Sequence, residues 1–425
     1  MLKRAIIPAL SVATLAVLAA IGLTQPSDSQ PLPSTAASLS TPQAGEADVV
    51  KRGRYLAVLG DCATCHTKAG GRPFAGGRPI QTPFGAILSA NITSGGLGDW
   101  TPDQFYRALH EGIDDQGKHL YPAFPYPYYT RMTRADSDAL LAFLKTTPAD
   151  RTDVQTDILP FPFNLRALLI VWDALYLKAG EFRPDPAQSA EWNRGAYLVE
   201  GPGHCGACHT PKSALGGDLT SRRYQGAVLD NWTASNLTGN PRFGLGGWST
   251  DDVAEYLKTG RNAKSNVTGA MAEVVAFSTS QMTDADVHAI AVYLKSLPTM
   301  DERPAPALDP ATLKAGEAIF VDQCSACHRM NGQAVARYFP PLPGNANAQQ
   351  RDPTTLTRII LRGARSQPTA ARPTPLSMPA YDWKLNDAEI AAVATYVRNS
   401  WGNRAPSVTA AQVQAVRRKT AQAAG

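Results

Sequence analysis

The sequence predicts an all-α protein built from three similar domains in tandem. Three observations point to this architecture in a chain of 425 residues. The pattern Cys-x-x-Cys-His occurs three times, the segments around its first two copies repeat one another, and each copy lies between stretches with helical periodicity. A chain of this length suits about three domains of ordinary size. Each motif therefore predicts one domain.

The Cys-x-x-Cys-His pattern is the attachment motif of c-type haem, in which two thiols form thioethers with the porphyrin and the histidine binds iron. Zinc knuckles and redox dithiols also use Cys-x-x-Cys. The chain has six cysteines, however, and all of them lie in these motifs. We therefore predict three covalent haems, held by Cys62, Cys65 and His66, by Cys205, Cys208 and His209, and by Cys324, Cys327 and His328.

The first residues predict export. Lys3 and Arg4 precede a mostly apolar run, 5–23, as in an export signal. Because this run is near the minimum length of a spanning helix, 1–23 is expected to be either a cleaved signal or a retained anchor. Residues 24–46, rich in Pro, Ser, Thr and Ala, are predicted to form a disordered tether. The haem domains are expected on the periplasmic side of the bacterial inner membrane.

Domain 1 is predicted at 47–150 and domain 2 at 187–300, and the two are a duplication. They share segments in the same order: Arg52-Gly53-Arg54-Tyr55-Leu56 with Arg194-Gly195-Ala196-Tyr197-Leu198, Asn91-Ile92-Thr93 with Asn236-Leu237-Thr238, and Met132-Thr133-Arg134-Ala135-Asp136 with Met282-Thr283-Asp284-Ala285-Asp286. Domain 3, at 310–402, is more distant but also has a glycine before its motif and an aromatic residue near its end. This pattern predicts that the opening and closing helices of each domain cross where glycine lets the backbones approach.

Three further segments lie outside these domains. The linker 151–186 contains an apolar run, 165–177, which is too short to span a bilayer as a helix. Our preferred interpretation is a linker helix packed across the seam between domains 1 and 2, and the alternative is a docking or membrane-surface helix. A Pro-rich linker occupies 301–309, and the basic tail 403–425 is expected to present a solvated face.

Methionine is the usual iron ligand opposite histidine in such domains and raises the reduction potential. Met378 precedes the closing helix of domain 3 by a short loop, and Met271 has the corresponding place in domain 2. We predict both as sixth ligands. The arrangement of the domains resembles the class I cytochrome c fold, in which helices with little or no sheet wrap around the haem.

Residues 47–402 further resemble the three-haem cytochrome c subunits of membrane-bound periplasmic dehydrogenases, which serve alcohol, aldehyde, gluconate and sorbitol oxidation. The likeness is carried by 120–126, 191–198 and 378–385. The resemblance implies an electron-transfer subunit without a catalytic site of its own. A separate catalytic subunit of quinoprotein, flavoprotein or molybdenum type would oxidise the substrate, and the haems would pass electrons to ubiquinone or another respiratory acceptor in the membrane.

The chain departs from this family pattern at Phe124, where many relatives have methionine. Because phenylalanine cannot bind iron, haem 1 is expected to be five-coordinate, ligated by His110 or His119, or rescued by Met132. An open first haem leaves a peroxidase-like haem enzyme as the alternative function. The formal net charge of +5 is modest and indicates no nucleic-acid partner.

Overall fold

The computed structural model describes residues 45–156, 158–299, 305 and 307–421. The predicted export segment and most of the predicted tether lie outside the described residues, as does most of the linker 301–309. Within the described ranges the chain is mainly helical, which confirms the all-α class, and its strands form three two-stranded antiparallel sheets.

Each domain begins with a long opening helix and ends with a long closing helix. The elements of domain 1 are α1 (Asp48–Leu59), α2 (Cys62–Cys65), β1 (Pro79–Thr82), β2 (Gly85–Leu88), α3 (Ser94–Leu97), α4 (Pro102–Glu111), α5 (Tyr126–Tyr129) and α6 (Arg134–Leu144). The linker contains α7 (Leu168–Tyr176). The elements of domain 2 are α8 (Ala190–Glu200), α9 (Gly206–His209), β3 (Ala227–Leu229), β4 (Trp232–Ala234), α10 (Thr250–Thr259), α11 (Ala270–Phe277) and α12 (Asp284–Lys295). Those of domain 3 and the tail are α13 (Pro310–Gln323), α14 (Ser325–His328), α15 (Ala346–Gln349), α16 (Thr354–Arg362), β5 (Ala364–Arg365), β6 (Ser377–Met378), α17 (Asp387–Asn399) and α18 (Ala410–Ala421).

A polar side chain caps the first turn of each closing helix. The Thr133 side chain accepts a hydrogen bond from the Asp136 backbone N–H, and Thr283 caps α12 in the same way. Asn386 forms a reciprocal capping box with Glu389 at the start of α17. Such caps satisfy N–H groups that have no partner within the helix.

The predicted close crossing of opening and closing helices is observed in all three domains. A Cβ atom on the glycine would lie about 2 Å from a carbonyl oxygen of the closing helix: 1.9 Å for Gly53 and Ala139, 2.0 Å for Gly195 and Ala289, and 2.2 Å for Gly316 and Ala392. No side chain fits in this space, so glycine is required for the two backbones to touch.

Domains 1 and 2 pack together through two copies of one cluster, in which an aspartate of a closing helix binds an arginine of its own domain and a tyrosine of the other. In one copy, Arg194 Nη2 lies 2.7 Å from Asp286 Oδ2 and the Tyr55 hydroxyl donates to the same oxygen over 2.6 Å. The second copy consists of Asp136, Arg52 and Tyr197. Because each contact recurs with the domains exchanged, the duplicated domains form a pseudo-twofold pair.

The linker helix α7 contacts both domains at this seam. Asp173 Oδ2 lies 2.7 Å from His119 Nδ1 of domain 1, and the Trp172 indole N–H donates to the Leu215 carbonyl of domain 2 over 2.9 Å. Within the described ranges, no helix combines the length and apolar content needed to cross a bilayer.

The C-terminal helix α18 packs one face on domain 3, so the solvated face expected for the basic tail lies on the other side of this helix. Val413 and Val416, one turn apart, are buried in the domain 3 core. Arg417 Nε lies 2.7 Å from Asp387 Oδ1 and joins the tail to the closing helix. Only the opposite face, with Arg418 and Lys419, has the expected exposure.

Replacing Gly195 with alanine should destabilise the folded protein, because the new Cβ would collide with the Ala289 carbonyl. Overpacking of this kind costs about 1–3 kcal/mol or more. Thermal unfolding of the haem-loaded protein would measure the loss. Gly247→Ala is the matched control, since its nearest neighbour would be 3.7 Å away, and equal stability of both variants would contradict the close-crossing account.

Asp286→Asn should weaken the contact between domains 1 and 2, and this weakening should depend on pH. Burial opposes the charged form of Asp286, but hydrogen bonds from Arg194 and Tyr55 outweigh it and hold the pKa of this carboxyl below its usual value. Its stabilising effect is therefore complete above the ordinary aspartate pKa of about 4 and lost as the pH falls through the lower folded-state value.

The difference in melting temperature between wild type and Asp286→Asn should accordingly shrink at low pH. Asp284→Asn is the control, because Asp284 forms a largely exposed ion pair with Lys258 at the same helix end and such pairs contribute little. A difference that is independent of pH would rule out the proposed role of the Asp286 charge.

Candidate haem sites

Each Cys-x-x-Cys-His motif forms a short helical turn directly after the opening helix of its domain. The first cysteine of each motif is partly buried and the second is exposed. None of the six thiols is in a disulfide. Both sulfurs of each turn are therefore available for thioether bonds to a porphyrin.

The axial histidines of domains 1 and 2 are oriented by backbone carbonyl groups. His66 Nδ1 lies 2.7 Å from the Ala90 oxygen, and His209 Nδ1 lies 2.6 Å from the Ser235 oxygen. Because a carbonyl can only accept, Nδ1 carries the proton and Nε2 has the lone pair that iron requires. Burial lowers the pKa of both imidazoles and so favours this neutral form. The donor set fits a haem iron.

The repeated Asn-x-Thr segments hold these two carbonyl groups in place. Asn236 Oδ1 accepts hydrogen bonds from the backbone N–H and the hydroxyl of Thr238, each over 2.7 Å. Asn91 binds Thr93 in the same manner over 3.0 and 2.7 Å. Sequence reasoning used these segments only to detect the duplication. Their role could have been inferred from the sequence, because a short polar Asn-x-Thr turn follows the Cys-x-x-Cys-His motif at a similar distance in domains 1 and 2.

In domain 3 the axial position is built differently. His328 faces the Pro340 carbonyl, but the geometry falls outside that of an ordinary hydrogen bond and Nδ1 is buried without a partner in the described part of the chain. Burial again lowers the pKa of the imidazole. The neutral ligand form is therefore favoured here too.

The predicted sixth-ligand positions share one environment. In each domain the residue is partly buried and packs against the same apolar core as the first attachment cysteine; the pairs are Phe124 with Cys62, Met271 with Cys205 and Met378 with Cys324. The three positions share this placement beside an attachment cysteine, with a thioether in domains 2 and 3 and a phenyl ring in domain 1. Iron ligation by Met271 and Met378 stays a prediction.

The structure places the other candidate ligands of haem 1 in different roles. Met132 is only 1% exposed and lies in the domain 1 core, as Met282 does in domain 2. His110 is buried and stacks on the Tyr106 ring with 3.8 Å between ring centroids, whereas the equivalent Lys258 donates to the Met282 carbonyl. His119 binds Asp173 of the linker. Met132 and His119 are thus engaged elsewhere, and an open sixth position at haem 1 stays a prediction.

The attachment turns of domains 1 and 2 meet at the seam. Arg78 donates to the Thr64 carbonyl over 2.7 Å and to Glu273 of α11, the helix that carries Met271, over 3.0 Å. On the other side, Gly206 lies so close to the Tyr128 ring that a Cβ would approach it to 2.8 Å. Each attachment turn therefore packs against the sixth-ligand side of the other domain.

Comparison with known proteins gives consistent matches. The Cytochrome c family model matches residues 50–148 and 313–401. The chain is 42% identical to the cytochrome c subunit of alcohol dehydrogenase (quinone) from Gluconacetobacter polyoxogenes, over 89% of this chain and 86% of that protein. It is 41% identical to the gluconate 2-dehydrogenase cytochrome c subunit of Pantoea cypripedii, over 91% and 93%. It is 36% identical to the fructose dehydrogenase cytochrome subunit of Gluconobacter japonicus, over 89% and 84%.

Methionine-to-iron absorption should decrease in Met271→Ala and in Met378→Ala, and disappear in the double variant, because domain 1 has no methionine at the equivalent position. Absorption spectra of the oxidised protein test this directly. If the band survives in the double variant and vanishes only when Met132 is also replaced, Met132 is the ligand of haem 1 and the open position is wrong.

Proposed function

This chain belongs to the family of cytochrome c subunits of dehydrogenases, and we propose that it relays electrons from a catalytic dehydrogenase subunit to a respiratory acceptor. The proposal comprises three class I cytochrome c domains, each with one covalent haem c, at the periplasmic side of the inner membrane. Ubiquinone is the proposed acceptor, and the name of the alcohol dehydrogenase (quinone) relative supports a quinone.

The observation that carries the proposal is the meeting of two attachment turns at the seam. Arg78 joins the turn of domain 1 to domain 2 by donating to the Thr64 carbonyl and to Glu273, and Gly206 in the turn of domain 2 packs against the Tyr128 ring of domain 1. Haem c, when bound, accepts and releases one electron at its iron. Two such groups attached at one seam can exchange electrons inside the chain, without an encounter between molecules.

Domain 3 extends this path from domain 2. The Thr233 backbone N–H donates to the Thr355 hydroxyl over 2.6 Å, and Ser235 Oγ lies 3.5 Å from Asn347 Oδ1. Ser235 also provides the carbonyl that orients His209. Domain 3 thus contacts the loop that holds the axial histidine of haem 2, and we propose that haem 2 lies between the other two in the relay.

The residues of the three proposed haem sites suit an electron carrier. The thiols would attach the cofactor, and burial favours the neutral form of all three histidines. Carbonyl groups orient the histidines of domains 1 and 2, and the predicted sixth-ligand positions pack against apolar cores. Haem 1, without methionine, should have a lower potential than a His/Met haem, which would separate it energetically from the others. The peroxidase-like alternative is not favoured, since the three relatives above are all named as cytochrome subunits of dehydrogenases.

The relay can be tested by isolating the chain with its catalytic subunit. Adding the substrate of that subunit without oxygen should reduce all haems, whereas the chain alone should show no reduction, because the proposal assigns substrate oxidation to the catalytic subunit. Mass spectrometry, as a control on the material, should find three attached haems. Oxidation of an alcohol, aldehyde or sugar acid by the chain alone, or failure to accept electrons from the co-isolated subunit, would overturn the proposal.

A further inference from the structure

The linker carries a concentration of exposed apolar side chains. Large apolar residues between 47% and 77% exposed recur along 161–175: Phe161, Leu165, Leu168, Ile170, Val171 and Leu175. A soluble monomer rarely exposes so many large apolar groups side by side. We name this surface, formed by 158–175, the apolar flank.

The apolar flank is held outward by the polar side chains of the same segment. Arg166 Nη1 donates to the His119 carbonyl over 2.6 Å, Asp173 binds His119, and the Tyr176 hydroxyl lies 2.9 Å from Ser213 Oγ. A surface helix in water normally has the reverse arrangement, with apolar residues inward. These contacts with both domains fix the orientation of α7, so the exposure of its apolar face is part of the folded structure.

We propose that the apolar flank binds the surface of an anionic phospholipid bilayer. The outward face of α7 offers aliphatic side chains and no hydrogen-bonding side chain, which suits acyl chains, whereas protein interfaces carry hydrogen bonds and Tyr, Trp or Arg anchors. At nine residues the helix is too short to span a membrane, so it would lie in the plane of the interface.

Charge supports the same partner. Lys178, which follows α7 by two residues, and Lys118, which adjoins the His119 contact of the helix, are both exposed. Neither forms an ion pair with another residue of the described ranges. These two lysines beside the apolar flank would be attracted to anionic headgroups.

A single added cysteine can report on this contact, because the six native cysteines are committed to haem in the mature protein. The haem-loaded full chain carrying Val171→Cys would be labelled with an environment-sensitive fluorophore and mixed with phosphatidylethanolamine/phosphatidylglycerol vesicles. Val228→Cys is the matched control, since Val228 is a valine of domain 2 that is 47% exposed. The label at position 171 should shift to shorter wavelength and be quenched by nitroxide-bearing lipids, and the label at 228 should not.

A double variant, Val171→Glu with Leu175→Glu, should lower the affinity for the same vesicles by about tenfold or more, because it places two charges in the apolar contact. Val228→Glu should leave the affinity unchanged. Thermal unfolding would show that the variants fold. The electron-relay assay does not depend on contact between the apolar flank and lipid. A failure of the membrane proposal can therefore be distinguished from a failure of the proposed relay function.

Three results would overturn the proposal. The first is that the protein does not bind to the vesicles. The second is that the protein binds but the label at position 171 remains in water, and this result would assign membrane attachment to residues 1–23. The third is protection of the label only when the catalytic subunit is added, which would make the apolar flank a protein interface.

Discussion

The contact between opening and closing helices at glycine is the constraint on which the rest of the structure depends. In domain 1, Gly53 touches the Ala139 carbonyl, and the same two helices carry Arg52, Tyr55 and Asp136. Fixing the crossing therefore fixes where the seam residues project. It also fixes the end of the opening helix, and hence the turn that carries the attachment cysteines. In this way one backbone contact determines both the haem site and the interface that joins two sites.

The sequence predicted these features where the information was local. The cysteine motif and the glycine of each opening helix are both recognisable within a few residues. The hydrogen bond from Tyr55 to Asp286 could not be predicted, because its partners lie in different domains and neither has a distinctive spacing. The role of the Asn-x-Thr turns was missed because the atom that orients histidine is a carbonyl of the preceding residue, which no side-chain pattern identifies.

For two helices, the face that is buried depends on the neighbouring domains and could not be predicted from the helix sequence alone. The tail helix has two valines one turn apart, which domain 3 buries, although its charges suggested a solvated face. The linker helix is apolar, and periodicity could not determine which side faces water. Its few polar groups bind the two domains, so its aliphatic face points outward. The proposed membrane contact would therefore lie near the predicted sixth-ligand position of haem 1, since the Trp172 ring of α7 lies 6.2 Å from the Tyr126 ring, and the Tyr126 ring lies 6.4 Å from the Phe124 ring.

The central claim is that haems 1 and 2 exchange electrons directly across the pseudo-twofold seam. Injecting one electron per molecule with a photoreductant and following the two haems by transient absorption tests this most directly, since haem 1, lacking methionine, should be spectrally distinct. The account predicts re-equilibration between them at a rate that does not change with protein concentration. A rate that rises in proportion to protein concentration, or the absence of re-equilibration, would contradict it.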